Sequence, residues 1–146
     1  MDDRYVLTMD RETALMVRRA SEFYTRIMCG QFDEVVREIL NAWPEKYKED
    51  TFCIMRDQAE AFLRLARAVL FPELDSGSYY GVGHNRNADI SWNVNQVIRY
   101  VIAWRDNPEG DYGVNFNKPI SWSGTPLPSF EIVDSEHEEA NTNATK

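Results

Sequence analysis

The segment that most constrains this fold is residues 91–110, SWNVNQVIRYVIAWRDNPEG. Val94, Val97, Ile98 and Val101 recur at i, i+3, i+4 and i+7, the spacing of one buried face of an α-helix. Pro108, Glu109 and Gly110 then stop the helix and turn the chain. The rest of the sequence must supply something to cover that face. The remaining face carries Trp92, Asn95, Gln96, Arg99 and Ala103, where a solvated helix usually shows Glu, Lys and Ala. An indole, two amides and a guanidinium are the components of a binding surface, and the segment predicts one.

A chain of 146 residues fits one domain, expected over residues 1–133. Residues 134–146 are acidic and poor in apolar side chains, and predict a disordered tail. The formal net charge is −8, and about half of the excess lies from Glu131 onward. A nucleic-acid polymer or an anionic membrane needs a basic face, so neither is expected as a partner. A small anion needs only a local pocket and stays open. Lys46, Lys48, Lys118 and Lys146 are the only lysines, so arginine dominates the 16 basic residues. Arginine suits bidentate capture of phosphate or carboxylate, and serves equally in surface ion pairs. Cys29 and Cys53 form no C-x-x-C pair, and predict buried free thiols in a reducing compartment. The N-terminus has no signal-peptide pattern, and no apolar run approaches the roughly 18 residues of a membrane span. The expected location is cytoplasmic, with no membrane partner.

Along the chain, residues 4–9 suit a short strand. Asp10 is a helix N-cap, and a helix follows to about Cys29 with Gly30 just past its end. A second helix spans about 31–43 and ends at Pro44. A third spans about 51–70, with Met55, Ala59, Phe62, Leu63, Ala66, Val69 and Leu70 as its core face. Residues 73–88 read as a long loop that leads into the organising helix, with Asp89 as its N-cap. Residues 112–116 and 120–122 read as a hairpin, and 129–133 as an edge strand. The fold expected is therefore α+β and mainly α, with three to four helices packed on a small antiparallel β-hairpin sheet. The broadly apolar first helix, together with Trp92 and Trp104, predicts a homo-oligomer.

Loops this long in a small domain often carry function. Here Tyr79 or Tyr80 could stack on a flat ring, Asn85 or Asn87 could read its edge, and His84 lies beside them. Arg99 and Arg105 could hold phosphates. Loop and turn lie at opposite ends of a helix of about 16 residues, roughly 24 Å apart. One subunit cannot bring them together, but two antiparallel copies could. The expected site is thus Tyr79, Tyr80, His84, Asn85, Asn87, Trp92, Asn95, Arg99 and Arg105 around a small nucleotide-like ligand at a subunit interface. The plainer alternative puts the tyrosines in the core and pairs Arg99 with Asp89 or Asp106. A second constellation, Glu34 with Glu38 and Asp57 with Glu60, places carboxylates one turn apart on neighbouring helices, as a Mg²⁺-dependent nucleotide hydrolase would. It departs from the Glu-x-x-Glu and Glu-x-x-Asp spacing of such enzymes. No elbow around a serine, no thiol beside a histidine in sequence and no Cys/His ligand spacing point to a nucleophile or a bound metal.

Residues 22–34 (EFYTRIMCGQFDE), 71–74 (FPEL), 78–85 (SYYGVGHN), 97–110 (VIRYVIAWRDNPEG) and 114–119 (VNFNKP) together resemble small accessory proteins of bacteriophages, among which are the Thoeris anti-defence sponges. That resemblance covers most of residues 8–122. It implies a mainly helical, oligomeric protein that sequesters an immune signalling nucleotide of the host without cleaving it, in the host bacterial cytoplasm. It carries over no individual ligand-binding residue. The leading expectation is such a binding protein with no cofactor and no catalytic residue. The alternatives are the Mg²⁺-dependent hydrolase and an acidic inhibitor that binds a host defence protein.

Overall fold

A computed structural model describes residues 5–43, 51–111, 117–122 and 124–132. Four helices follow one another: α1 Arg11–Met28, α2 Asp33–Ala42, α3 Thr51–Leu70 and α4 Arg86–Asp106. Among the described residues there is no strand, so the expected α+β architecture is corrected to all-α. Residues 5–9, 120–122 and 129–132 are irregular, although their alternation suggested strands. The expected strand at 112–116 and the tail at 134–146 lie outside the described residues.

α1 begins where Asp10 caps it, its carboxylate accepting from the Thr13 amide at 2.7 Å. The same hydrogen bonds hold the Asp10 carboxyl below its ordinary pKa. It ends in a Schellman motif: the Gly30 amide donates to the Ile27 carbonyl and the Gln31 amide to that of Arg26. Gly30 takes φ of 86°, a conformation that costs glycine little.

α1 and α4 form the central pair. The Arg11 guanidinium grips Asp106 through both carboxylate oxygens, and the Asn95 amide donates to the Arg18 carbonyl. The Ser91 hydroxyl reaches the Ser21 carbonyl and Thr25 reaches that of Ala88. As one sequence number rises the other falls, so the helices run antiparallel. Between them Ala14, Ile98 and Ile102 form the core, with Leu15, Val17, Val94 and Phe130 packed around it.

α4 differs from expectation at its start and on its faces. Asn85 is the N-cap, accepting from the amides of Asn87 and Ala88. Asp89 lies buried inside the first turn and accepts from the Gly83 amide at 2.6 Å. Of the polar face expected to meet a ligand, Asn95 and Gln96 are buried and Trp92, Arg99 and Ala103 half-buried, and the neighbouring Asn93 is buried as well. The reason is position. α1 covers one side of α4, and the segment 122–125 covers another. Asn93 fixes that segment: its carbonyl oxygen accepts from the Trp122 amide, and its side-chain nitrogen donates to the Trp122 carbonyl and the Thr125 hydroxyl. Trp122 lies so close over Gly83 that a Cβ there would stand 2.8 Å from its ring.

α2 and α3 pack on each other and α2 on α1, whereas α3 does not pack against α1 or α4. α3 departs from its expected orientation over much of its apolar face. Met55, Phe62, Val69 and Leu70, assigned to the core from their spacing, are exposed. Its inward side holds the half-buried Leu63, as expected, and the buried Arg67, which was not. The Arg67 guanidinium donates to the carbonyls of Asp75, Ser76 and Ser78, tying the following loop to the helix. Among the described residues no helix is long and apolar enough to cross a membrane.

Candidate functional site

A cleft of about 480 Å³ opens where the end of α1, the start of α2, one side of α3 and the loop 76–79 meet. Local chain chemistry builds each wall. The Schellman turn carries Arg26 and Gln31 to one rim. The first turn of α2, which has no side-chain cap of its own, brings Glu34 and Arg37. α3 contributes Glu60, Leu63 and Arg64, and the Arg67 clasp sets the loop so that Tyr79 forms the far wall.

Four guanidiniums (Arg26, Arg37, Arg64, Arg67) face three carboxylates (Asp33, Glu34, Glu60) across the cleft. The excess is positive within a chain of net charge −8. Buried Glu34 accepts from Arg26 at 3.0 Å and from Arg37 at 2.8 Å. Arg26 also pairs with Glu22 at 2.8 Å. That hydrogen bond, helped by the charge of Glu34 and opposed by burial, raises the Arg26 pKa further. Arg37 reaches Asp33 at 3.7 Å. Arg64 is different: it is exposed and, among the described residues, makes no hydrogen bond or ion pair, and neither does the Tyr79 hydroxyl. A cation and a phenol ring therefore line the same cleft with their polar atoms unspent. Together they suit an anion carried on a flat, stackable group.

The residues expected to form one site are dispersed. Tyr79 alone lines this cleft. Tyr80 belongs to an aromatic row, its ring 6.1 Å from Phe71 and 5.1 Å from His84, with Phe32 next to Phe71. Its hydroxyl donates to Glu73, which raises the Tyr80 pKa and lowers that of Glu73. Asn85 is committed to the α4 cap. Asn87 is exposed in the first turn of α4, and Trp92 is half-buried further along it. Asn95 is buried, bonded to Arg18 and to Gln96. Arg99 is half-buried and makes no hydrogen bond or ion pair among the described residues. Arg105 borders a shallow, mainly apolar depression with Tyr100, Val101, Trp104 and Ile132. α4 has 21 residues, so Arg105 stands roughly 30 Å from the helix start, farther than the sequence implied.

The four carboxylates of the hydrolase alternative are held by arginines. Glu34 has Arg26 and Arg37, Glu38 has Arg19 at 2.6 Å, and Arg56 serves both Asp57 at 3.0 Å and Glu60 at 3.9 Å. Among the described residues no three His, Cys, Asp or Glu side chains gather as a metal site. Cys29 is buried as expected, and burial, with the charge of Asp89, raises its pKa. Cys53 is exposed, which corrects its assignment as a buried thiol.

Sequence reasoning missed Arg26, Arg37 and Arg64 as site residues. A signal existed: Arg64 and Arg67 stand one turn apart on α3, off its apolar stripe. Comparison with known protein families, with curated proteins and with solved structures returns no match to this chain.

Proposed function

We propose that this chain is a non-catalytic binding protein that captures a small phosphate-bearing ligand of the nucleotide class in the cleft between α1, α2, α3 and the loop 76–79. The observation that carries the reading is that Arg64 and Tyr79, both without a polar partner among the described residues, line one locally basic cleft of an acidic chain. Arg64 takes the phosphate and Tyr79 stacks on the base. Arg26 and Arg37, fixed by Glu34, present their remaining N–H groups to the same anion. Capture is favoured over turnover because the cleft carboxylates Glu34 and Glu60 are engaged with arginines, and the Cys29 thiol is held protonated. The sequence resemblance to phage sponges supplies the biological setting: sequestration of a host immune signal, uncleaved, in the bacterial cytoplasm.

Isothermal titration of the full chain with AMP, ADP and ADP-ribose tests the site. Arg64→Ala and Tyr79→Ala are each expected to weaken the binding of whichever probe binds by about tenfold or more, equivalent to roughly 1.4 kcal/mol. Arg99→Ala/Arg105→Ala is expected to leave it unchanged. Heating the loaded protein should release that probe intact, as read by mass spectrometry. Full affinity in Arg64→Ala/Tyr79→Ala overturns the site, and recovery of a cleaved probe overturns capture.

A further inference from the structure

α3 turns its most apolar side to solvent. Met55, Gln58, Phe62, Leu65 and Val69 follow one another at alternating intervals of four and three residues. That is the a/d seam of a coiled coil. The apolar members of the seam are 51%, 72%, 66% and 79% exposed in that order. Among the described residues no other helix lies on them: α3 meets only α2.

The charges on α3 are placed with the same regularity. Arg56, Asp57, Glu60, Arg64 and Arg67 all fall at heptad positions b, c or f, away from the seam. The e and g positions beside the seam are Ala59, Ala61, Ala66, Ala68 and Ile54. An exposed helix face without a single charge is unusual in a chain that is 27% charged, and small flanking residues let two helix backbones approach closely.

We infer that this face is a self-association surface, paired in solution with α3 of a second copy of the same chain. Three features select a second copy over other occupants. A 4-3-4-3 seam is complementary to itself. Its flanks carry no charge, so two copies do not repel in either orientation. Its apolar members are each more than half exposed, and an apolar face left bare on both copies is what pairing would cover. The residues from 133 onward do not suit it, because they are acidic and Val133 is their only large aliphatic side chain. Gln58 is the one polar member of the seam, and a lone buried amide fixes register in such pairs at some loss of stability. The expected homo-oligomer thus forms through α3 rather than through α1.

Sedimentation equilibrium of the full chain over a 100-fold concentration range tests this. The wild type is expected to approach twice 17.0 kDa. Phe62→Gln/Leu65→Gln is expected to raise the dissociation constant at least tenfold. Both substitutions lie on an exposed face, so the variant should keep its circular dichroism and its melting temperature at the lowest concentration. Flotation with phosphatidylcholine vesicles runs in parallel, and the protein should not float. A wild type that stays monomeric, a dimer that survives the double substitution, or flotation that the double substitution abolishes each overturns the proposal.

Discussion

Cys29 and Cys53 differ in reactivity for reasons that lie within a few ångströms of each sulfur. Cys29 is buried at the end of α1, with its sulfur 3.8 Å from the Gly81 carbonyl, and desolvation, then the Asp89 charge, raises its pKa. Cys53 is exposed on α3. At pH 8, Ellman's reagent is expected to modify one thiol in the native protein and two in guanidinium. The linkage has a definite sign. The folded thiol holds its proton more tightly than the unfolded one, so its contribution to stability is complete below the ordinary value of 9.0. It is lost as pH climbs through the raised folded value. Chemical denaturation from pH 8 to 10.5 should show falling stability, with a shallower fall in Cys29→Ala. Equal labelling of both thiols in the native state would contradict the burial of Cys29.

The α1–α4 pair shows how polar groups hold an element in place. Asn95 is buried and supplies a donor to the Arg18 carbonyl and an acceptor to Gln96. Asn95→Ala leaves those groups unsatisfied and should destabilise the fold by about 1–3 kcal/mol. Arg11–Asp106 is bidentate but half-exposed, and Asp106→Asn should cost at most about 1 kcal/mol. Urea denaturation of the two variants checks the ranking. Here the limits of sequence become physical. Asp10 and Gly30 were legible because a cap and a left-handed turn are local requirements that few residue types meet. α4 as a helix was legible from Val94, Val97 and Ile98. Burial of Asn93 and Asn95 was not, because they bond backbone groups 29 and 77 residues away, and Gln96 is buried with Asn95, to which it donates. The strand readings failed for a related reason. Residues 120–122 alternate, yet Asn93 holds Trp122 where a neighbouring strand would have done so.

For the whole molecule, stability is unevenly distributed. α1 and α4 share the core with Met9 and Phe130 packed on it, while α3 is joined through α2 and the Arg67 clasp. In dilute solution, hydrogen–deuterium exchange is expected to reach the central amides of α3 well before those of α1 and α4. Equal protection across the four helices would show a single cooperative unit. The cleft inherits this asymmetry, because Arg64 lies on the weakly held helix and Arg26 on the strongly held one. Its composition was half legible: Tyr79 stood out in a glycine-rich loop. The arginines did not, because periodicity ranks faces by hydrophobicity, and the apolar side of α3 is the one left outside.

The antiparallel pairing of α1 with α4 also sets the order of events during synthesis. Arg18 finds Asn95 only across 77 residues and Arg11 finds Asp106 across 95. At about 5–20 residues per second a ribosome needs roughly 4–20 s to supply that partner. Through this interval α1 stands without the helix that covers its apolar side. α1 is therefore expected to be prone to aggregation until α4 is made, whereas the docking of α4 leaves the outer side of α3 as exposed as before.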